Sequence, residues 1–124
     1  MIIVDTDVLI EIFDKESEKG EVALKKLEKS GDDIAITALS LHEILYGHYK
    51  TKKTILGIQE INTIEFNKKD AELSAKLELE AEKNGIIIPR IDTMIASIAI
   101  NRKARIYTFN NKHFQKIKQI KLFD

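Results

Sequence analysis

The chain contains no cysteine and no tryptophan, and only one proline among its 124 residues. Without cysteine, a disulfide framework, a thiolate zinc site and a cysteine nucleophile are excluded together, so any metal chemistry must rest on oxygen or histidine. Long apolar runs are missing too. Met1 to Val4 is apolar only as far as Asp5, far short of a secretory core, and no stretch approaches the length of a membrane span. A cytoplasmic protein in a reducing interior is expected, with no membrane association. Net charge is absent, because twenty basic residues balance twenty acidic ones, while 44% hydrophobic content supplies an ordinary core. That balance excludes an intrinsically disordered chain. No repeat, low-complexity tract or linker interrupts the sequence, so residues 1–124 are expected to form one domain.

The neutral total hides a gradient. Residues 1–20 hold six acids against Lys15 and Lys19, whereas residues 101–124 hold seven Lys/Arg against Asp124 alone. Acidic chemistry is therefore expected near the start of the chain and a basic surface near its end.

Hydrophobic periodicity alternates between strand and helix. Ile2-Ile3-Val4 suits a strand buried on both faces, and Val8, Leu9, Ile12 and Phe13 mark the inward face of a helix. Val22, Leu24 and Leu27 predict a second helix closed near Gly31, followed by a strand at Asp33–Thr37. Ser40 and Glu43 fit the S-x-x-E capping box, so a helix should start there, and Lys52 to Ile61 is expected to continue helically before an extended segment at Thr63–Phe66. Ala71–Glu82 alternates like a strand, but its Ala, Glu, Leu and Lys content predicts helix, stopped by Asn84-Gly85. Ile86–Ile88 reads as a buried strand or extended lead-in, Asp92 as a helix start, Arg105–Thr108 as a strand and Ile120–Phe123 as the last one. The result is an α/β domain with a central, mainly parallel sheet flanked by helices, whose function is expected at the carboxyl ends of the strands.

Four polar positions fall on that rim: Asp5 at the end of the first strand, Glu43 in the helix after the second, Asp92 at a helix start, and Asn110 beyond Thr108. Carboxylates gathered in one crevice suit a hard divalent cation such as Mg²⁺ or Mn²⁺, and without one they repel. Each acid alone also has a plainer account. Asp5 could end a strand, Asp7 could cap a helix, Glu43 could serve Ser40's capping box and Asp92 could be an N-cap.

Taken in order, Asp5-Thr6-Asp7-Val8-Leu9-Ile10, Ser40-Leu41-His42-Glu43-Ile44-Leu45-Tyr46-Gly47, Ile91-Asp92-Thr93-Met94-Ile95-Ala96 and Tyr107-Thr108-Phe109-Asn110-Asn111-Lys112-His113-Phe114 resemble the PIN-domain ribonucleases. More narrowly, they resemble the VapC toxins of toxin–antitoxin pairs, along the whole chain and without insertion. The resemblance implies a metal-dependent endoribonuclease in which Asp5, Glu43 and Asp92 match the acidic ligands of Mg²⁺ or Mn²⁺. It implies in-line attack on an RNA phosphodiester by metal-activated water, neutralisation by a VapB-type antitoxin, and a homodimer. The chain departs from the pattern where a fourth acid often stands, carrying Asn110 and His113 instead. Asp7 and Thr108 are expected to support the site, and Arg90, Arg102 and Lys112 are candidates for RNA phosphates, along with the other C-terminal cations Lys103, Arg105, Lys116 and Lys118.

Competing classes fare worse. Val4-Asp5-Thr6-Asp7 resembles the nucleophile strand of haloacid-dehalogenase-type phosphotransferases, but after Asp92 the only acid is Asp124. His42 and His48 lie six apart, on different faces of a helix, so they cannot share a zinc ion. The remaining alternative is a catalytically impaired PIN-like scaffold that binds RNA or protein, motivated by Asn110.

Overall fold

The computed structural model describes residues 1–53 and 57–124. Four short strands, β1 (Ile2–Val4), β2 (Ile34–Thr37), β3 (Asn62–Ile64) and β4 (Arg105–Tyr107), form a sheet in the order β3-β2-β1-β4. Every pairing is parallel, with Ile3 opposite Ala35 on one side and Ile106 on the other. The helices are α1 (Thr6–Leu9), α2 (Glu18–Ser30), α3 (Ala38–Thr51), α4 (Lys68–Lys83), α5 (Arg90–Asn101) and α6 (Asn111–Phe114).

Strand alternation explains why both faces are covered. Ile2 and Val4 point into one core with Val8, Leu9, Ala23, Leu27, Ile36 and Ile44 from α1, α2, β2 and α3. Ile3 and Ile106 point into the other, against Ile95, Ile98 and Ala99 of α5 and Phe114 of α6. β1 is therefore central and wholly buried, and its carboxyl end delivers Asp5 between two layers of helix.

Local chemistry sets several boundaries differently from the sequence pattern. The helix after β1 widens into a π-helical turn over Ile10–Asp14, in which Lys15 N–H reaches Ile10 C=O at 2.9 Å. The buried side of α2 is Gly20, Ala23 and Leu27, whereas Val22 and Leu24 are exposed. Gly20 explains that choice, because a Cβ there would lie 2.1 Å from the Glu11 carbonyl oxygen, so the two helical segments touch backbone to backbone. α3 begins at Ala38, with Thr37 rather than Ser40 as its N-cap: the Thr37 hydroxyl accepts from Ser40 N–H at 3.1 Å. It ends at Thr51, where Lys52 turns left-handed, so the helix expected over Lys52–Ile61 does not continue from α3; Ile58–Glu60 is a 3₁₀ turn, and residues 54–56 of that expectation lie outside the described residues.

The alternating segment is helix α4, opened by a capping box between Asn67 and Asp70 and closed by Gly85. Ile86 N–H returns to Ala81 C=O at 2.8 Å, the bond expected when a glycine takes the left-handed position after a helix. Of the two readings of Ile86–Ile88, the lead-in holds and the buried strand does not: it is a connector that runs directly into α5, and Ile87 on it is 88% exposed. The C-terminal strand reduces to a single parallel bridge between Ile106 and Leu122.

A buried ion pair ties α4 to α5. Asp70, with no accessible surface, accepts from Arg102 at 2.9 and 3.2 Å and from Asn101 at 2.8 Å. Burial pushes the Asp70 carboxyl up, but the Arg102, Asn67 and Asn101 hydrogen bonds prevail and hold it below the usual range.

Two stability predictions follow from these contacts. Asp70→Ala should cost about 3–5 kcal/mol in urea unfolding, because the Arg102 guanidinium loses its partner. Gly20→Ala should destabilise severely, whereas Gly47→Ala, in mid-helix with nothing within 4 Å of the new Cβ, should stabilise by about 0.5–1 kcal/mol.

Candidate active site

The site is built at the end of β1. Asp5 caps α1, its Oδ1 accepting from Thr6 N–H at 2.8 Å, and its own N–H donates to Tyr107 C=O at 2.9 Å, which locks it to β4. Thr108, the next residue of that neighbouring chain segment, donates its hydroxyl to Asp5 Oδ2 at 2.9 Å. The same hydroxyl oxygen accepts Asn110 N–H at 3.0 Å, so Thr108 ties the loop after β4 to the acid at the end of β1.

Asp7 lies two residues further on. Its Oδ2 accepts Phe109 N–H at 3.2 Å, while its Oδ1 is buried without a hydrogen-bond partner among the described residues. Glu43 comes in from α3 and accepts the Thr6 hydroxyl at 2.6 Å. It is therefore not the partner of Ser40 in a capping box, because Ser40 sits inside the helix that Thr37 caps. Asp92 is likewise not an N-cap. It occupies the first turn of α5, which Pro89 precedes, and its Oδ2 meets His113 Nδ1 at 2.7 Å. A carboxylate facing that nitrogen assigns it as the donor. The Asn110 amide nitrogen stands 2.9 Å from the same nitrogen, a contact that is not a hydrogen bond while His113 Nδ1 donates to Asp92.

Electrostatics set this rim apart from the rest of the surface. Burial, followed by the charge of Asp7 and to a smaller degree that of Asp92, pushes Asp5 up to about 7, against the hydrogen bonds from Thr108 and Thr6. Burial also raises Asp7, against the Phe109 and Thr108 bonds and the charge of Lys19, and raises Asp92 against His113. These carboxylates are thus disfavoured as anions while no cation balances them. As the side chains lie, no three His, Asp or Glu residues among the described residues converge on one point. The donor chemistry nevertheless suits a hard divalent cation: desolvated carboxylates with a buried oxygen left unpartnered gain most from one.

The cations proposed for RNA divide. Arg90 does not turn to Asp92; it makes a two-pronged pair with Glu78 of α4 at 2.9 and 3.0 Å. Arg102 is spent on Asp70, and Arg105 reaches Asp32 at 3.3 Å. Lys112 is exposed in the first turn of α6. Three participants have no role assigned by the sequence: Thr6, His113 and Lys19. Thr6 was visible between two aspartates, and His113 stands where a fourth acid was expected. Lys19 carried no local signal, since only the crossing of α2 brings it here, 4.0 Å from the centre of the Phe109 ring.

The chain is similar to known proteins in sequence and fold. The PIN domain pattern matches residues 2–120. The chain is 31% identical over 120 residues to Ribonuclease VapC2 of Rickettsia felis, covering 91% of this chain and 89% of that protein. It is 28% identical over 128 residues to Ribonuclease VapC1 of Methanocaldococcus jannaschii, covering 99% and 87%. Among solved structures, VapBC2 of Rickettsia felis bound to a DNA fragment from its promoter aligns with a TM-score of 0.80 at 28% identity, over 99% of this chain and 98% of that one. With the profile match spanning nearly every element that builds the rim, the chain belongs to the PIN-domain family, among the VapC ribonucleases.

Proposed function

We propose that this protein is a metal-dependent endoribonuclease of the VapC toxin type, hydrolysing RNA phosphodiester bonds in the cytoplasm and neutralised by a VapB-type antitoxin. The observation that carries the reading is the pair of buried Asp5 and half-buried Asp7 at the carboxyl end of a parallel sheet, with one Asp7 oxygen unpartnered among the described residues and Asp92 and Glu43 beside it. The relatives' names support the ribonuclease, and the Rickettsia felis VapBC2 complex supports the antitoxin.

Asp5, Asp92 and Glu43 would hold Mg²⁺ or Mn²⁺. Such a cation, when bound, supplies an ionisable water at neutral pH and neutralises charge on the phosphate. Thr108 fixes Asp5 Oδ2 by its hydroxyl, and Thr6 restrains Glu43, so both carboxylates meet substrate with little freedom left to lose. Asn110 replaces a fourth charge with an amide that can orient a water by hydrogen bond. No nucleophilic side chain is needed. The proposal includes a homodimer: Tyr46 and Tyr49, 55% and 73% exposed on α3, offer apolar surface to a second copy or to the antitoxin.

Purified, antitoxin-free protein should cut a folded RNA with Mg²⁺ or Mn²⁺ and stop in EDTA, with Asp5→Asn and Asp92→Asn each losing at least about 100-fold in rate. Cutting that survives EDTA and both substitutions rejects the mechanism, and metal-independent RNA binding without cutting favours the scaffold.

Stability should carry the same signature. The folded value of Asp5 lies above its unfolded one, so its favourable contribution is complete below about pH 4 and is lost as pH rises toward 7. In metal-free urea titrations Asp5→Asn should remove that slope and be more stable than wild type at neutral pH, by on the order of 3 kcal/mol. Added Mn²⁺ should raise the Tm of wild type and leave Asp5→Asn nearly unmoved.

A further inference from the structure

If RNA is the substrate, cations must meet its phosphates beside the acids, and most cations close to the rim are committed elsewhere. Arg90 pairs with Glu78, Arg102 with Asp70, Lys53 with Asp14 and Lys15 with Glu11. Lys19 has a different environment. It is exposed on the first turn of α2, its ammonium lies 4.0 Å from the centre of the Phe109 ring, and its charge reaches Asp7. Phe109 is in turn fixed to the site, because its N–H donates to Asp7 and it follows Thr108, which holds Asp5.

The arrangement continues along the helix. Lys26, two turns beyond Lys19, stands over the Tyr107 and Phe123 rings at 5.4 and 5.6 Å. Phe109, Tyr107 and Phe123 form an edge-to-face series with ring centres 5.9 and 5.1 Å apart. An aromatic face holds an ammonium in place without neutralising it and leaves its donors available, whereas a carboxylate partner would consume both charge and donors. The row therefore presents preoriented positive charge that ends at the carboxylates.

We propose that Lys19, seated on Phe109, is the phosphate-binding residue of the cleavage site, and that Lys26, seated on Tyr107 and Phe123, contacts the RNA backbone further from it. This rests on the ribonuclease reading and assigns the cation role to α2 in place of Arg90 and Arg102. Both lysines contact phosphate and neither reads base sequence, so the effect of removing them is uniform across RNA sequences.

The test is fluorescence anisotropy of a short labelled single-stranded RNA with the full-length protein in EDTA, across a salt series, for Lys19→Ala, Lys26→Ala and Lys19→Arg. Lys25→Ala serves as control, since Lys25 sits on the same helix and pairs with Glu21. Lys19→Ala is expected to weaken binding roughly tenfold at low salt and to lower the salt slope by about 0.7, with Lys19→Arg restoring both and Lys25→Ala matching wild type. Lys26→Ala should reduce the slope by a similar amount. A purely structural cation–π pair would lower Tm without changing the slope. Equal affinity and slope in Lys19→Ala, with wild-type RNA cleavage intact, overturns the assignment and leaves the nuclease standing. Failure of the wild type to bind or cut any RNA overturns both.

Discussion

The hydrogen bond from Thr108 to Asp5 is the interaction on which the rest of the site depends. β1 and β4 run parallel, so both finish on the same rim, and Asp5 and Thr108 each follow the last residue of their strand. The Asp5 N–H extends the sheet ladder by one more bond to Tyr107 C=O. A carboxylate at the end of a fully buried strand cannot turn away to solvent, and the two hydrogen bonds it accepts offset only part of its desolvation. The same strand geometry that makes β1 the most protected element makes its terminal acid the least comfortable anion.

The molecule separates its charges by task. Asp70 is as buried as any residue of the core, yet its carboxyl is held down, because Arg102, Asn101 and the Asn67 backbone N–H of the capping box all donate to it. Asp5 and Asp7 receive no cation of that kind. Arg102 is consumed in fastening α5 to α4, and Arg90 in fastening the start of α5 to Glu78. The arginines at the two ends of α5, Arg90 and Arg102, therefore stabilise the helix that presents Asp92 rather than the acid itself. What reaches the rim is His113 on Asp92 and Lys19 beside Asp7, one imidazole and one ammonium at its edges.

Much of this was legible from residue order. Ile2-Ile3-Val4 declared a strand buried on both faces because all three positions are apolar, and α4 was recovered from composition even though its pattern alternated. Asp5, Glu43, Asp92 and Asn110 were singled out by their places after predicted strands and at helix starts. The misreadings share a cause. Ser40 and Thr37 are both competent N-caps three residues apart, and the end of β2, fixed by pairing with β1 and β3, decides for Thr37. Val22 and Leu24 are apolar but outside, because Gly20 brings α2 against Glu11 on a neighbouring face. Arg102 looked like one more cation of a basic C-terminal region; only its meeting with Asp70, far away in sequence, shows otherwise. Pairings between distant elements leave no local periodicity to read.

The departure at Asn110 and His113 then has a physical sense. A fourth carboxylate here would add repulsion to Asp92, which burial already raises, whereas His113 donates to Asp92 and Asn110 stands against the same ring nitrogen. The substitution moves the uncompensated charge toward the Asp5–Asp7 side, where Asp7 Oδ1 is left without a partner. Negative charge is consequently least compensated at the end of β1, next to the loop that Thr108 anchors, and better compensated on the α5 side, where His113 meets Asp92. The charge asymmetry of the rim, acids of β1 and α1 against the imidazole and amide of the last loop, thus comes from the parallel sheet bringing the acidic start of the chain against the segment that follows its last strand.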